Sequence, residues 1–163
     1  MQLSSPLVAW RLCQTRFAST WDDGEGSFRY GGRWNSEGIR AGYCSLDPAT
    51  AILEMAVHAD FHTLDTVPHT LTKLEIADPT RVRIVKPSEI TSINRNWLAL
   101  GSPSEGQQKF GDGLLRENDF IVIPSAVAPH SWNLMFRRDR AAGGYKLLTQ
   151  EPFALDTRLN QPR

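Results

Sequence analysis

The chain has 163 residues, 40 % of them hydrophobic and 22 % charged, ordinary globular proportions that exclude a disulfide-stapled miniprotein and a disordered tail. Its 18 basic side chains balance its 18 acidic ones, so no net field draws it to DNA, RNA or an anionic membrane. No repeat, linker or charge block divides the sequence, and a single domain over residues 1–163 is expected. Cys13 and Cys44 fit no metal or redox spacing. The first ten residues lack the basic start and apolar run of a signal peptide, and no apolar stretch nears the ~20 residues that span a bilayer. The expected location is the cytoplasm, with no membrane contact.

In chain order, residues 7–12 alternate like a strand, and residues 20–32, rich in Gly and Asp, read as a long irregular loop. A short strand follows at residues 41–45, centred on Tyr43. Asp47 is a good N-cap with Pro48 at the first helical position, which predicts a helix to about Phe61. Ala49, Ile52, Leu53, Ala56 and Val57, three and four apart, predict its buried stripe, with Glu54 beside it. Strands are predicted at residues 70–76 and 81–85 and a helix at 88–100. Ser102, Pro103 and Glu105 make a capping-box start to a helix reaching about Leu115. The compact apolar run 120–124 is a strand, and further strands at 132–136, 145–149 and 153–155 complete the pattern. Together these predict an α+β domain with a largely antiparallel sheet.

Several familiar chemistries are absent. His58 and His62 are four apart on the predicted helix but lack the glutamate of a zincin motif, and no metal site is expected. Ser125 is not in a nucleophile elbow, and the sequence has no phosphate loop or dinucleotide fingerprint. The most unusual segment is Tyr30-Gly31-Gly32-Arg33-Trp34-Asn35. Paired glycines free the backbone just before a guanidinium able to grip a phosphate or carboxylate with two parallel bonds. The alternative is a tight turn with a solvated arginine and a core tryptophan. Taken singly, Glu54 is a helix-face glutamate and Ser125 a turn residue after a buried strand.

Taken together, Gly31-Gly32-Arg33-Trp34-Asn35, the strand Tyr43-Cys44-Ser45, Ala51-Ile52-Leu53-Glu54, Ile123-Pro124-Ser125-Ala126-Val127, Asn133 and the stretch from Phe153 to Leu159 follow one order. In that order they resemble the RES-domain family, toxins of bacterial toxin-antitoxin pairs named for a shared Arg, Glu and Ser. The resemblance covers nearly the whole chain. One stretch departs from it: many relatives continue past the asparagine with Asn-Pro-x-His, whereas this chain has Met135-Phe136-Arg137-Arg138-Asp139, so no residue role is carried over between Met135 and Tyr145.

The resemblance implies a fold similar to ADP-ribosyltransferase toxins, with NAD bound as substrate and cut between nicotinamide and ribose, and no cofactor beyond it. Arg33, Glu54, Ser125 and Tyr43 are then the catalytic residues, and Arg33, Trp34, Asn35, Tyr43, Ser125 and Asn133 contact NAD. A carboxylate such as Glu54 would stabilise the oxocarbenium character of the transition state more than the ground state. Arg33 would hold the diphosphate or adjoining ribose. Tyr43 would stack on nicotinamide, and Ser125 would bond the ribose or amide, these two roles being interchangeable. The resemblance implies NAD degradation by hydrolysis or phosphorolysis, with ADP-ribosylation of a protein as the alternative and a non-catalytic docking role third. It also implies an Xre-type antitoxin with a helix-turn-helix segment, in a hetero-oligomeric complex that touches DNA only through that partner.

Overall fold

A computed structural model describes residues 3, 6–99, 101 and 103–160. A seven-stranded sheet carries the fold, in the order β4-β5-β6-β2-β1-β3-β7. The strands are β1 (Leu7–Gln14), β2 (Gly42–Ser45), β3 (His69–Ile76), β4 (Val82–Ile84), β5 (Phe120–Pro124), β6 (Trp132–Phe136) and β7 (Tyr145–Phe153). Every pairing is antiparallel except β4 with β5. The helices are α1 (Glu25–Tyr30), α2 (Pro48–Thr66), α3 (Pro87–Ile93) and α4 (Glu105–Glu117). This is the α+β arrangement that the alternating apolar runs predict. Among the described residues no helix is long and apolar enough to cross a membrane.

Side chains alternate across the strands, so the sheet builds two cores. One face buries Leu7, Ala9, Leu74, Ile76, Phe120, Val122, Leu134 and Phe136. The other buries Ile121, Ile123 and Met135 with Ile90, Leu114 and Leu115 of α3 and α4. On that second face, Leu12 packs with Ile52, Met55, Ala56 and Leu64 of α2. Each fully buried aliphatic side chain contributes about 1.5–3 kcal/mol. The functional residues also lie on the second face, between α2 and the α3-α4 pair.

Several expectations need correction. The segment 20–32 is not all loop: the Asp23 side chain accepts from the Glu25 amide (2.9 Å), and Ser27 Oγ donates to the Ala41 carbonyl (2.9 Å), which sets the short helix α1. The α2 start is as predicted, with Asp47 Oδ1 accepting from the Thr50 amide at 2.8 Å. Its end is not, because Asp60 adopts φ 61° and then recaps the chain through a bond from the Thr63 amide (2.8 Å), carrying helix on to Thr66. His58 and His62 therefore straddle a kink and lose the i, i+4 geometry that a shared metal needs.

The predicted α2 stripe is half right. Ile52 and Ala56 pack inward with Met55, whereas Ala49, Leu53 and Val57 are exposed. The helix is wedged between two neighbours, and the side bearing Glu54 turns toward β5 and β6 instead of solvent. The helix predicted over 88–100 stops at Ile93, and Leu100 lies outside the described residues. Ser102 also lies outside them; the cap of α4 is Ser104, whose hydroxyl accepts from the Gln107 amide at 3.1 Å. The last two predicted strands are one continuous strand, β7.

Candidate functional site

The site gathers at one end of the central strands. Ser45 of β2 lies in register with Asn133 of β6, and Ser125 follows directly on the end of β5. Glu54 reaches them from the first half of α2. Its Oε1 accepts from Ser125 Oγ (2.8 Å) and from Asn133 Nδ2 (2.6 Å). Asn133 is oriented in turn by Ser45 Oγ, which donates to its Oδ1 at 2.8 Å. Among the described residues Glu54 Oε2 has no hydrogen-bond partner. The carboxylate is thus held by two neutral donors, its charge uncancelled by any cation bonded to it.

Ser125 is 3 % exposed, and its hydroxyl is fully used. It donates to Glu54 and accepts from the Val127 (3.1 Å) and Ala128 (2.9 Å) amides. Ser125 and Asn133, the expected substrate contacts, both hold Glu54 in this arrangement.

The arginine segment is a tight turn, closed by the Gly32 amide donating to the Asn35 carbonyl at 2.9 Å. Glycine is required at position 32, because a Cβ there would lie 2.6 Å from Asn35 Oδ1 and 2.9 Å from the Tyr43 hydroxyl. Asn35 is 0 % exposed; its amide donates to the carbonyls of Ser27, Ser36 and Ile39 at 2.9–3.0 Å. Trp34 is 2 % exposed and packs on Trp97 with ring centroids 6.1 Å apart. Both are expected NAD contacts, and both lie buried in the scaffold of the turn. Among the described residues, Arg33, between them, is anchored by NH1 donating to the Trp97 carbonyl at 2.9 Å. A carbonyl satisfies one donor and leaves the rest of the guanidinium for an anion.

Tyr43 links the two halves. Its hydroxyl donates to Asn35 Oδ1 (2.7 Å) and accepts from the Trp34 amide (3.3 Å), and the charges of Arg33 and Glu54 both act on it. Burial pushes this phenol well above its ordinary range, so it stays protonated and is no general base. Its hydroxyl is spent, and what it can offer a ligand is the face of a half-buried ring.

Sequence reasoning missed Arg11. Its NH1 donates to the Tyr43 carbonyl at 2.7 Å, and its Nε is buried without a partner. It sits where β1 and β2, paired only at Trp10 and Ser45, part company. The available signal was a lone arginine between Trp10 and Leu12 in an apolar strand. Gln108 and Asp112 of α4 were missed too; both bond the arginine turn from more than 70 residues away in sequence.

Arg137 and Arg138 lie elsewhere. The opposite end of β2 and β6, where Gly42 meets Phe136, opens on a cleft lined by Asp23, Arg40, Arg137, Arg138 and Asp139. Its cations are paired: Arg137 with Asp139 at 2.5 Å, Arg40 with Glu25 at 2.6 Å and Arg138 with Asp22 at 3.6 Å.

Comparison with known proteins agrees with this architecture. Residues 8–156 match the RES domain. The chain is 30 % identical over 158 residues to a protein named Toxin Res from Yersinia enterocolitica, covering 94 % of this chain and 99 % of that one. It is 26 % identical to a Toxin Res of Pseudomonas putida, again over 94 % and 99 % of the two chains. A chain of the M. tuberculosis MbcT-MbcA toxin-antitoxin complex has the same fold, with TM-score 0.74 and 16 % identity over 93 % of this chain and 86 % of that one. With residues 8–156 matched to the domain and a relative 30 % identical over nearly its whole length, this chain belongs to the RES-domain family.

Proposed function

We propose that the protein is the toxin of a toxin-antitoxin pair and that it acts by cleaving the bond between nicotinamide and ribose in NAD. One observation carries the chemical part of this reading: a carboxylate fixed by Ser125 and Asn133, with one oxygen unpartnered among the described residues, whose charge reaches Tyr43 together with that of the Arg33 guanidinium. The names of its relatives support the toxin role.

When the N-glycosidic bond breaks, its electron pair leaves with nicotinamide, which departs neutral, and positive charge develops on the ribose. Glu54 is suited to stabilise that charge and to hold a ribose hydroxyl on Oε2, and its place on a helix lets it do so without reorganising. Arg33 supplies positive charge for a diphosphate. Tyr43 offers a ring face for a planar base. An oxygen of water or inorganic phosphate then attacks the ribose carbon; with water, one proton is released to solvent. No cofactor or metal has a part in this scheme. The partner in this reading is an Xre-type antitoxin, bound in a hetero-oligomer, which would contact DNA on behalf of the complex in the cytoplasm.

Incubating the pure protein with NAD and identifying products by mass spectrometry, with and without phosphate, tests the reaction. Nicotinamide with ADP-ribose or its phosphorylated form is the expected outcome. Stoichiometric label on one cellular protein, with free ADP-ribose at background, would replace it with a transferase. NAD left intact under all conditions would sink the enzymatic reading.

A further inference from the structure

The turn that carries Arg33 does not hold its own shape. Residues 32–36 have one internal main-chain bond, from Gly32 to Asn35; Tyr43, Ser27, Ile39 and Trp97 hold its side chains and the Trp34 amide, and α4 holds its main chain on both sides of Arg33. Gln108 Nε2 donates to the carbonyls of Gly32 (2.9 Å) and Asn35 (3.2 Å). Asp112 accepts from the Ser36 amide (2.9 Å) and the Ser36 hydroxyl (2.6 Å). Between them Gly111 lets the helix backbone touch the turn, for a Cβ there would sit 1.9 Å from the Trp34 carbonyl oxygen. Positions 108, 111 and 112 share one helix face, so a single turn of helix grips the segment on both sides of Arg33. The Trp97 carbonyl that anchors the guanidinium lies between α3 and α4.

We propose that Gln108 and Asp112 are positioning residues which set the main chain on either side of Arg33 and thereby aim its guanidinium at the substrate's anionic group. The inference rests on NAD being the substrate, and it assigns α4 a duty beyond covering the core. Neither residue touches substrate. Their effect should fall on binding more than on bond breaking, because Arg33 is suited to grip the diphosphate while the charge developing on ribose belongs to Glu54.

The test compares D112A, D112N and Q108A with wild type by NAD kinetics, thermal melting and amide hydrogen exchange over residues 32–36. An asparagine at 112 can still accept from the Ser36 amide and donate to its hydroxyl, so it should restore what alanine loses. D112A and Q108A are expected to raise KM by ~10-fold or more with kcat within ~3-fold of wild type. D112N should stay within ~3-fold in both, and exchange at 32–36 should quicken only in the alanine variants. If D112A does not fold, S36A removes the same side-chain bond from the turn and should raise KM by ~3-fold. A D112A or S36A protein that melts lower but keeps wild-type KM and exchange overturns the positioning role. Wild-type protein that neither binds nor consumes NAD overturns the proposed function instead.

Discussion

The two ends of the β2-β6 pair treat charge in opposite ways. At the Gly42-Phe136 end, arginines and carboxylates neutralise one another across a cleft. At the Ser45-Asn133 end a carboxylate is held by a hydroxyl and an amide, and in the turn tied to β2 through Tyr43 a guanidinium is held by a carbonyl. Pairing opposite charges at a surface gives little, about 0–1 kcal/mol, and leaves no field for a ligand. Holding each charge with neutral groups fixes its direction and leaves its field intact, which is what a site for an ionic substrate with a charged transition state requires. The difference explains why the more arginine-rich end is not the candidate site.

The largest effect that can break this comparison is removal of the held charges. E54A and R33A are each expected to lower kcat/KM for NAD by ~100-fold or more, E54A through kcat, the scale of one lost electrostatic contact in a transition state, and R33A mainly through KM, with circular dichroism unchanged. A folded E54A protein that consumes NAD normally removes Glu54 from the chemistry.

Next come the holders. S125A and N133A should each cost ~10-fold in kcat, and the double variant less than the product, since both act through the same oxygen of Glu54. A double variant whose losses multiply in full would mean that Ser125 and Asn133 reach the substrate independently.

A smaller effect concerns β2 itself. Burial pushes the Cys44 thiol up to about 12 from 9.0 in the free state. Between those values the unfolded chain loses a proton that the folded one keeps, so stability is fully present below pH 9 and falls as pH rises above it, at up to about 1.4 kcal/mol per pH unit. Urea titrations from pH 8 to 10.5 should show this decline and a shallower one in C44A. Equal slopes would mean that the thiol is not shielded. The smallest effect is expected at the other end of the strands: R138A should leave NAD turnover within ~2-fold and the melting temperature nearly unchanged, because its ion pair is long and its side chain 62 % exposed. A large loss of turnover there would make the cleft part of the site.

Much of the fold was legible because local chemistry and long-range packing agree. The apolar runs 120–124 and 132–136 are strands, and Asp47-Pro48 does begin a helix. Helix α1 was hidden because its stabilising bond comes from Ala41, well outside the glycine-rich stretch. The α2 stripe was misread because periodicity assumes one buried face, and this helix has neighbours on two sides. At the candidate site, the residue types suggested a ligand, while the contacts each makes depend on partners that sequence does not reveal. Ser125 and Asn133 meet Glu54 across 71 and 79 residues, a meeting that no local signal announces. Trp34 and Asn35 likewise look available in a polar turn until Ser27, Ile39 and Trp97 close over them.

The sheet's outer strand bears on how the protein behaves when abundant. β7 forms one border of the sheet for nine residues, a length that invites edge-to-edge growth with a neighbouring copy. Two features interrupt that template. The register breaks where Lys73 and Leu74 face Thr149 and Leu147, leaving Leu148 as the extra residue, and Pro152 near the far end has no amide hydrogen to give. An incoming strand would find neither an even ladder nor a full set of donors, and fibrous aggregation through this border is checked by the backbone itself.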